Sequence, residues 1–146
     1  LFNSVIKIIL LLAFILIYGV GLHWSLLLFP FAILTAILFG TTLGLFFAPI
    51  SLIYNDIAKF VNMGLSLLMY ITPVVYAIPE TGIMKTIMEV NPFTALILTA
   101  RDIATGSMPE YLGYFIWIFA ISISLFFIGL LFYRISIPIV VERLSA

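Results

Sequence analysis

This sequence contains very few charged residues. Only 8% of its 146 residues are Asp, Glu, Lys or Arg, whereas 65% are hydrophobic. No charged residue lies between Lys7 and Asp56. A soluble domain is about 25% charged, so the composition excludes a water-soluble fold. The few basic residues form no cluster, and we therefore expect no nucleic acid partner.

The chain also lacks cysteine and has a single histidine. The absence of cysteine excludes disulfides, thiolate metal sites and cysteine nucleophiles, and one imidazole does not supply a multi-histidine metal site. No phosphate-binding Gly-x-x-x-x-Gly-Lys-Ser/Thr loop, no His-Glu-x-x-His and no Gly-x-Ser-x-Gly elbow occurs. No pair of carboxylates lies inside an uncharged run. We therefore expect a protein that is not an enzyme and that itself holds no metal or cofactor.

The uncharged runs predict an all-α, polytopic membrane protein, since a spanning helix needs about 20 apolar residues. We expect four spans, at about 4–22, 26–53, 60–78 and 111–133, with Pro49 as a candidate kink in the second. The segment 79–109 would form short, non-spanning outer helices. Because the chain starts with Leu1 and its first residues already enter a span, we expect that the N-terminal part of a longer protein is missing.

The basic residues predict the orientation. Four spans put both ends of this segment on one side of the membrane. The basic residues on that side would be Lys7, Lys59, Arg134 and Arg143, against Lys85 and Arg101 on the other. Basic residues are enriched in cytoplasmic loops, so both ends are expected in the cytoplasm.

Small residues recur every four positions along the second span. They are Ala32, Ala36, Gly40, Gly44 and Ala48. This spacing predicts a strip along one helix face, and small residues allow another helix backbone to approach closely. The strip is either a subunit or conduit interface or, as is commoner, a packing surface within one chain.

Polar residues recur at helical spacing on the third span. The stripe consists of Asn55, Lys59, Asn62, Ser66, Tyr70 and Pro73. Polar groups at membrane depth face protein or water, so the stripe is either a polar seam between helices or one wall of a pathway. The candidates for lining a conduit are Asn62, Ser66, Tyr70, Pro73 and Tyr76. Pro73 would leave the carbonyl of Met69 without its helical partner and favour a kink.

The outer segment carries helix signals of its own. Asn91 suits an N-cap and Pro92 the first helical position, and the helix would run to about Thr105 before Gly106. Such a helix reaches about 20 Å, against roughly 30 Å of hydrocarbon, so it lies on the outer surface or dips in and returns. The candidates for a role at the exit are Asn91, Pro92, Phe93 and Arg101. Arg101 would hold a phosphate or sugar hydroxyl, or else a lipid head group or an ion-pair partner.

These motifs together resemble the permease subunit of ABC-2 type exporters. The residues that carry the resemblance are Tyr54-Asn55-Asp56-Ile57, Thr72-Pro73-Val74-Val75-Tyr76, Asn91-Pro92-Phe93 with Arg101, and the closing Val141-Glu142-Arg143-Leu144. The most similar branch is the polysaccharide exporters, which move O-antigen, teichoic acid or capsule chains. Asn55-Asp56 stands where that branch commonly has Arg-Asp.

The resemblance implies a bacterial inner-membrane exporter. The four spans would be the third to sixth of a six-span permease that forms a homodimer around a conduit. A separate ATPase dimer would bind ATP on the cytoplasmic side, near the turn with Tyr54, Asn55, Asp56 and Lys59. A lipid-linked glycan would pass outward, and we hypothesise that Tyr70, Tyr76 and Phe93 stack on its sugar rings. The alternatives are an ABC-2 permease for a drug or lipid and a non-transporting membrane scaffold.

Overall fold

The computed structural model describes residues 23–74, 76 and 78–145, together with Ile6. Within this part of the chain all regular structure is helical. A short 3-10 helix, Trp24–Leu28, leads into α1, Phe29–Ile53. The remaining helices are α2, Asn55–Ile71; α3, Ile83–Val90; α4, Pro92–Thr105; and α5, Leu112–Ser145. The predicted first span, 4–22, lies outside the described residues apart from Ile6.

Two of the described helices are long and apolar enough to cross a membrane by length and composition. They are Trp24–Ile53, with 30 residues, and Leu112–Glu142, with 31 residues. They correspond to the predicted spans 26–53 and 111–133, but α5 continues beyond the predicted end to Ser145. α1 continues through Pro49, which is buried.

α2 differs from the predicted span 60–78. It has 17 residues, about 26 Å at 1.5 Å per residue, and it begins five residues before that span and ends seven residues before its predicted end. The early start is compatible with its exposed Asp56–Lys59 pair, whose charged atoms lie 3.1 Å apart at the start of α2. The early end follows from Thr72, which is extended (φ −91, ψ 125) because a residue before proline avoids the helical region.

α1 and α5 pack side by side and run in the same direction. Phe31 meets Phe119 edge-on with ring centroids 4.9 Å apart, and further along both helices Phe46 stacks on Phe132 at 5.7 Å. Between these contacts, Thr42 Oγ1 lies 3.3 Å from the carbonyl oxygen of Ser122. This pairing forms the framework against which the short helices pack.

α4 is the most deeply packed of the short helices. Half of its 14 residues are buried, namely Thr94, Ala95, Leu96, Leu98, Thr99, Ile103 and Ala104. Its apolar residues join Ala32 of α1 and Phe115 and Ile118 of α5 in one core cluster. The outer segment is therefore part of the core and does not lie flat on the surface of the described bundle.

α4 lies alongside the N-terminal half of α1. At its start, Phe93 packs edge-on against Phe39 with centroids 5.2 Å apart, ten residues and about 15 Å along α1. At its end, Gly106 adopts the left-handed conformation (φ 77) of a helix C-cap, and a Cβ there would come within 2.6 Å of the His23 ring. α4 thus rises from the middle of α1 to the turn that precedes α1.

Replacing Gly129 with leucine is expected to disrupt the α1–α5 pair. A Cβ on Gly129 would lie 3.2 Å from both Leu45 Cβ and Phe46 Cε2, and overpacking costs about 1–3 kcal/mol. Thermal unfolding of the purified protein should show a lower Tm for Gly129→Leu. Gly113→Leu is the matched control on the same helix, because nothing lies within 4 Å of its added Cβ. Equal Tm values for the two variants would contradict this packing.

Candidate functional site

The two proline motifs, 19 residues apart in sequence, meet in space. Asn91 Nδ2 donates a hydrogen bond to Thr72 Oγ1 at 3.0 Å, and both residues are buried. The amide oxygen of Asn91 accepts from the N–H of Phe93 at 3.0 Å and so caps α4. One side chain therefore joins the end of α2 to the start of α4.

The end of α2 is held by two further contacts. The N–H of Thr72 donates to the carbonyl of Leu68 at 2.9 Å, and the Tyr76 hydroxyl donates to the carbonyl of Tyr70. Pro73 is buried just beyond the helix. It therefore ends α2, and the kink predicted from a proline inside the helix does not occur. Tyr76 lies beside α2 as a cap on one of its last carbonyls.

α2 has two unlike faces. Asn62, Ser66 and Tyr70 are exposed, and the Tyr70 side chain is 77% accessible. Ser66 donates only to the carbonyl of Asn62 on its own helix, at 2.9 Å. At about 100° per residue, this stripe lies on the opposite side of α2 from Ile57, Val61, Gly64 and Leu68. The stripe thus faces away from the described helices, so it is not a polar seam among them.

The other face of α2 borders an apolar groove of about 610 Å³ between α1 and α2. Gly40, Gly44 and Gly64 line it, and a Cβ added to any of the three would meet nothing within 4 Å. Phe93 lines it too. The groove was not predicted from the sequence. Its signal was Gly64, which lies at helical spacing from Phe60 and Leu68 on the apolar face.

The members of the small-residue strip differ in burial. Ala32 is buried, Ala48 is partly buried, and Ala36, Gly40 and Gly44 are exposed. Four-residue steps advance by about 40° beyond a full turn, so the strip winds away from the face that packs on α5. That face instead carries Thr35, Thr42 and Pro49, all buried. Gly40 and Gly44 open into the groove.

The turn between α1 and α2 is exposed. Tyr54 adopts an extended conformation (φ −121, ψ 100) between the two helices, and Tyr54, Asn55, Asp56 and Lys59 are all accessible. The Asp56–Lys59 pair has side chains 82% and 78% exposed, so it contributes little to stability. These side chains are available for contact with another molecule.

The candidate exit residues occupy different environments. Asn91 is buried in the junction with Thr72, Pro92 occupies the first helical position, and Phe93 packs on α1. Arg101 is exposed and borders a separate cavity of about 300 Å³, which we call the Arg101 cavity. Within the described residues, no group of three or more metal-ligating side chains comes together.

Comparisons with known proteins agree on one family. A family model described as ABC-2 type transporter matches residues 1–105. An O-antigen export system permease protein, RfbA, of Klebsiella pneumoniae is 30% identical over 105 residues, covering 68% of this chain and 39% of that protein. A second protein of the same name and organism is 29% identical over 85 residues, 56% of this chain and 32% of its own length. The chain thus covers about two fifths of the first of these relatives and about a third of the second. No solved structure matches it significantly.

The Thr72–Asn91 bond is expected to couple the stability of α2 to that of α4. Thr72→Val would leave the buried Asn91 amide without an acceptor, at a cost of about 1–3 kcal/mol. Asn91→Ser keeps a side chain that caps a helix but shortens its reach to Thr72. Denaturation of the two single variants and the double variant should give a coupling energy of about 0.5–1.5 kcal/mol.

Thr41→Val is the matched control for that cycle. Its hydroxyl donates only to the carbonyl of Ile37 on the same helix, at 2.7 Å, in an exposed position. We expect this variant to unfold like the parent. Strictly additive effects of Thr72→Val and Asn91→Ser would show that the junction is not an energetic link.

Proposed function

Because this chain belongs to the ABC-2 type transporter family, as its motifs predicted, we propose that it is part of the permease subunit of an exporter of lipid-linked polysaccharide. ATP hydrolysis would occur on a separate ATPase, which permeases of this family generally require. The similarity to O-antigen export permeases supports the substrate class. The proposed location is the bacterial inner membrane, with both ends of this segment in the cytoplasm.

The polar stripe of α2 is the observation that carries this proposal. Asn62, Ser66 and Tyr70 point away from every described helix, yet polar groups at membrane depth need protein or water around them. A second permease copy facing this stripe would enclose a polar path between two α2 helices. Amide, hydroxyl and aromatic groups suit sugars, which present hydroxyl groups on their edges and apolar ring faces.

The turn between α1 and α2 is the proposed contact with the ATPase. Tyr54, Asn55, Asp56 and Lys59 are exposed there and lie at the end of the bundle opposite α4. In the proposed orientation this end faces the cytoplasm. A push on the turn would move α2, whose far end is bonded to α4 through Thr72 and Asn91. Closure of the ATPase dimer on ATP binding would thereby move α4 at the proposed exit.

A second candidate, export of a drug or lipid by an ABC-2 permease, is favoured by the groove between α1 and α2. Its lining is almost wholly apolar, including Leu43, Phe47, Phe60 and Leu65. Such a surface suits acyl chains or a hydrophobic drug. The groove and the stripe lie on opposite faces of α2, so the two candidates use different surfaces.

Purification of the full-length protein from native membranes in mild detergent separates the candidates. Recovery of a stoichiometric P-loop ATPase together with a polyprenyl-linked glycan is the result expected for a polysaccharide exporter. An ATPase without glycolipid would favour the drug or lipid exporter. No ATPase, in a preparation that keeps other membrane complexes intact, would overturn transport and favour a scaffold.

Single cysteines on the stripe should react with a membrane-impermeant thiol reagent. The chain has no cysteine of its own, so Asn62→Cys, Ser66→Cys and Tyr70→Cys each supply one thiol in this segment. Leu65→Cys on the groove face is the control and should react much more slowly. A dry stripe, with all four positions unreactive in the intact complex, would contradict a water-filled path.

Loss of the Tyr70 ring should slow glycan export. If the ring stacks on sugars, its removal costs about 0.5–1.5 kcal/mol, so Tyr70→Ala should reduce the export rate about twofold to thirteenfold. Tyr70→Phe keeps the ring and should stay near the parent rate. Leu67→Ala removes an exposed side chain on a different face of α2 and controls for general damage. Unchanged export by Tyr70→Ala would count against stacking.

A further inference from the structure

Four parts of the chain converge on the Arg101 cavity, which shares no lining residue with Asn62, Ser66 and Tyr70 of the stripe. Its walls come from the segment after α2, from α3, from the middle of α4 and from the residues just before α5. The charged side chains on these walls are Glu80, Lys85, Glu89, Arg101 and Glu110. A concave surface with a few converging polar groups is the usual form of a small-molecule site.

Only two of the charged side chains in the cavity wall form an ion pair within the described part of the chain. Lys85 Nζ lies 3.8 Å from Glu89 Oε1, one helical turn away. Arg101, Glu80 and Glu110 form no ion pair among the described residues. The three carboxylates outnumber the two cations, so the wall carries a net charge of −1 by this count. This charge disfavours a phosphate or an acidic sugar in the cavity.

Tyr111 also lines the cavity. The pKa of its hydroxyl is raised above the ordinary value by burial, and further by the negative charges of Glu110 and Glu89. Tyr111 presents a hydroxyl and a ring to the cavity. Tyr76 supplies a second ring on the wall, and its hydroxyl bond to the Tyr70 carbonyl restrains it.

We propose that the Arg101 cavity binds a neutral sugar unit of the exported glycan as it leaves the permease. The guanidinium of Arg101 donates to sugar oxygens, and the free carboxylates of Glu80 and Glu110 accept from sugar hydroxyls. The ring faces of the two tyrosines cover the apolar face of a pyranose. At about 300 Å³ the cavity lies at the small end of ligand sites, which fits a single sugar unit or a short oligosaccharide. This inference rests on the proposed function.

Binding to the full-length permease in lipid nanodiscs with its ATPase tests the inference. The neutral probes are the methyl glycosides of glucose, galactose and mannose, and the anionic probes are methyl glucuronide and inorganic phosphate. Saturation-transfer NMR should detect at least one neutral glycoside and neither anion. Arg101→Gln and Glu110→Gln should each weaken that binding by at least about tenfold, as expected for a lost hydrogen bond to a charged group.

Two controls keep the result interpretable. Glu142→Gln makes the same chemical change at the far end of α5 and should bind like the parent. Arg101→Lys keeps the charge but loses the planar fork, and we expect intermediate binding. A folded permease that binds no neutral glycoside, that binds the anions as well, or that is insensitive to Arg101→Gln and Glu110→Gln would overturn the inference.

The proposed function and this inference can be disproved separately. If the protein purifies with an ATPase and a glycolipid but binds no neutral glycoside, export stands and the cavity assignment is wrong. If neither an ATPase nor a glycolipid is recovered, export itself is wrong, whatever the cavity binds.

Discussion

The hydrogen bond between Thr72 and Asn91 is the contact on which the arrangement of the short helices depends. α2 ends about halfway along α1, so its last backbone groups cannot rely on a continuing helix. Asn91 bonds to Thr72 and also caps α4, while Tyr76 takes up the carbonyl of Tyr70. Thr72 and Asn91 are buried, and a buried polar group left without a partner costs about 1–3 kcal/mol. These bonds explain how α2 can end inside the bundle, about halfway along α1.

Because of this junction, the described bundle has two levels along the length of α1. α1 and α5 form a long parallel pair, and α2 accompanies α1 only from the turn at Tyr54 to the level of Phe39. From that level α4 replaces α2 and packs into the core between α1 and α5. Tyr114 of α5 donates to the carbonyl of Val90 at the end of α3, which fixes the short helices to the long pair. A displacement of α2 therefore has a direct mechanical route to α4.

α2 separates polar from apolar surface, and this separation relates the two candidate substrates. Its polar stripe faces away from the other described helices, and its apolar face forms the groove with α1. A lipid-linked glycan contains both kinds of surface, a polar chain and a long hydrocarbon carrier. A single helix that presents a polar face and an apolar face is suited to such a molecule, with the sugars on the stripe and the hydrocarbon in contact with the groove or the bilayer.

Local chemistry allowed much of this fold to be predicted from the sequence. Uncharged runs predicted α1 and α5, and the N-cap and C-cap of α4 were predicted at Asn91 and Gly106, as the structure has them. The end of α2 was missed because Pro73 was placed inside a helix, although a proline equally well ends one at the residue before it. The burial of α4 and the meeting of Thr72 with Asn91 are tertiary contacts, and no local pattern in the sequence encodes them. The strip from Ala32 to Ala48 was predicted as one face, but its four-residue spacing drifts around a helix of 3.6 residues per turn.

The most direct test of this account is transport by the full-length permease and its ATPase in proteoliposomes loaded with a labelled polyprenyl-linked glycan. For a polysaccharide exporter, we expect ATP to drive the glycan across the bilayer and a non-hydrolysable ATP analogue not to sustain the movement. We also expect Thr72→Val to slow transport more than it slows ATP hydrolysis, because the proposed motion passes from α2 to α4 through this junction. ATP hydrolysis without any glycan movement, in vesicles where another lipid substrate is moved, would contradict the central claim.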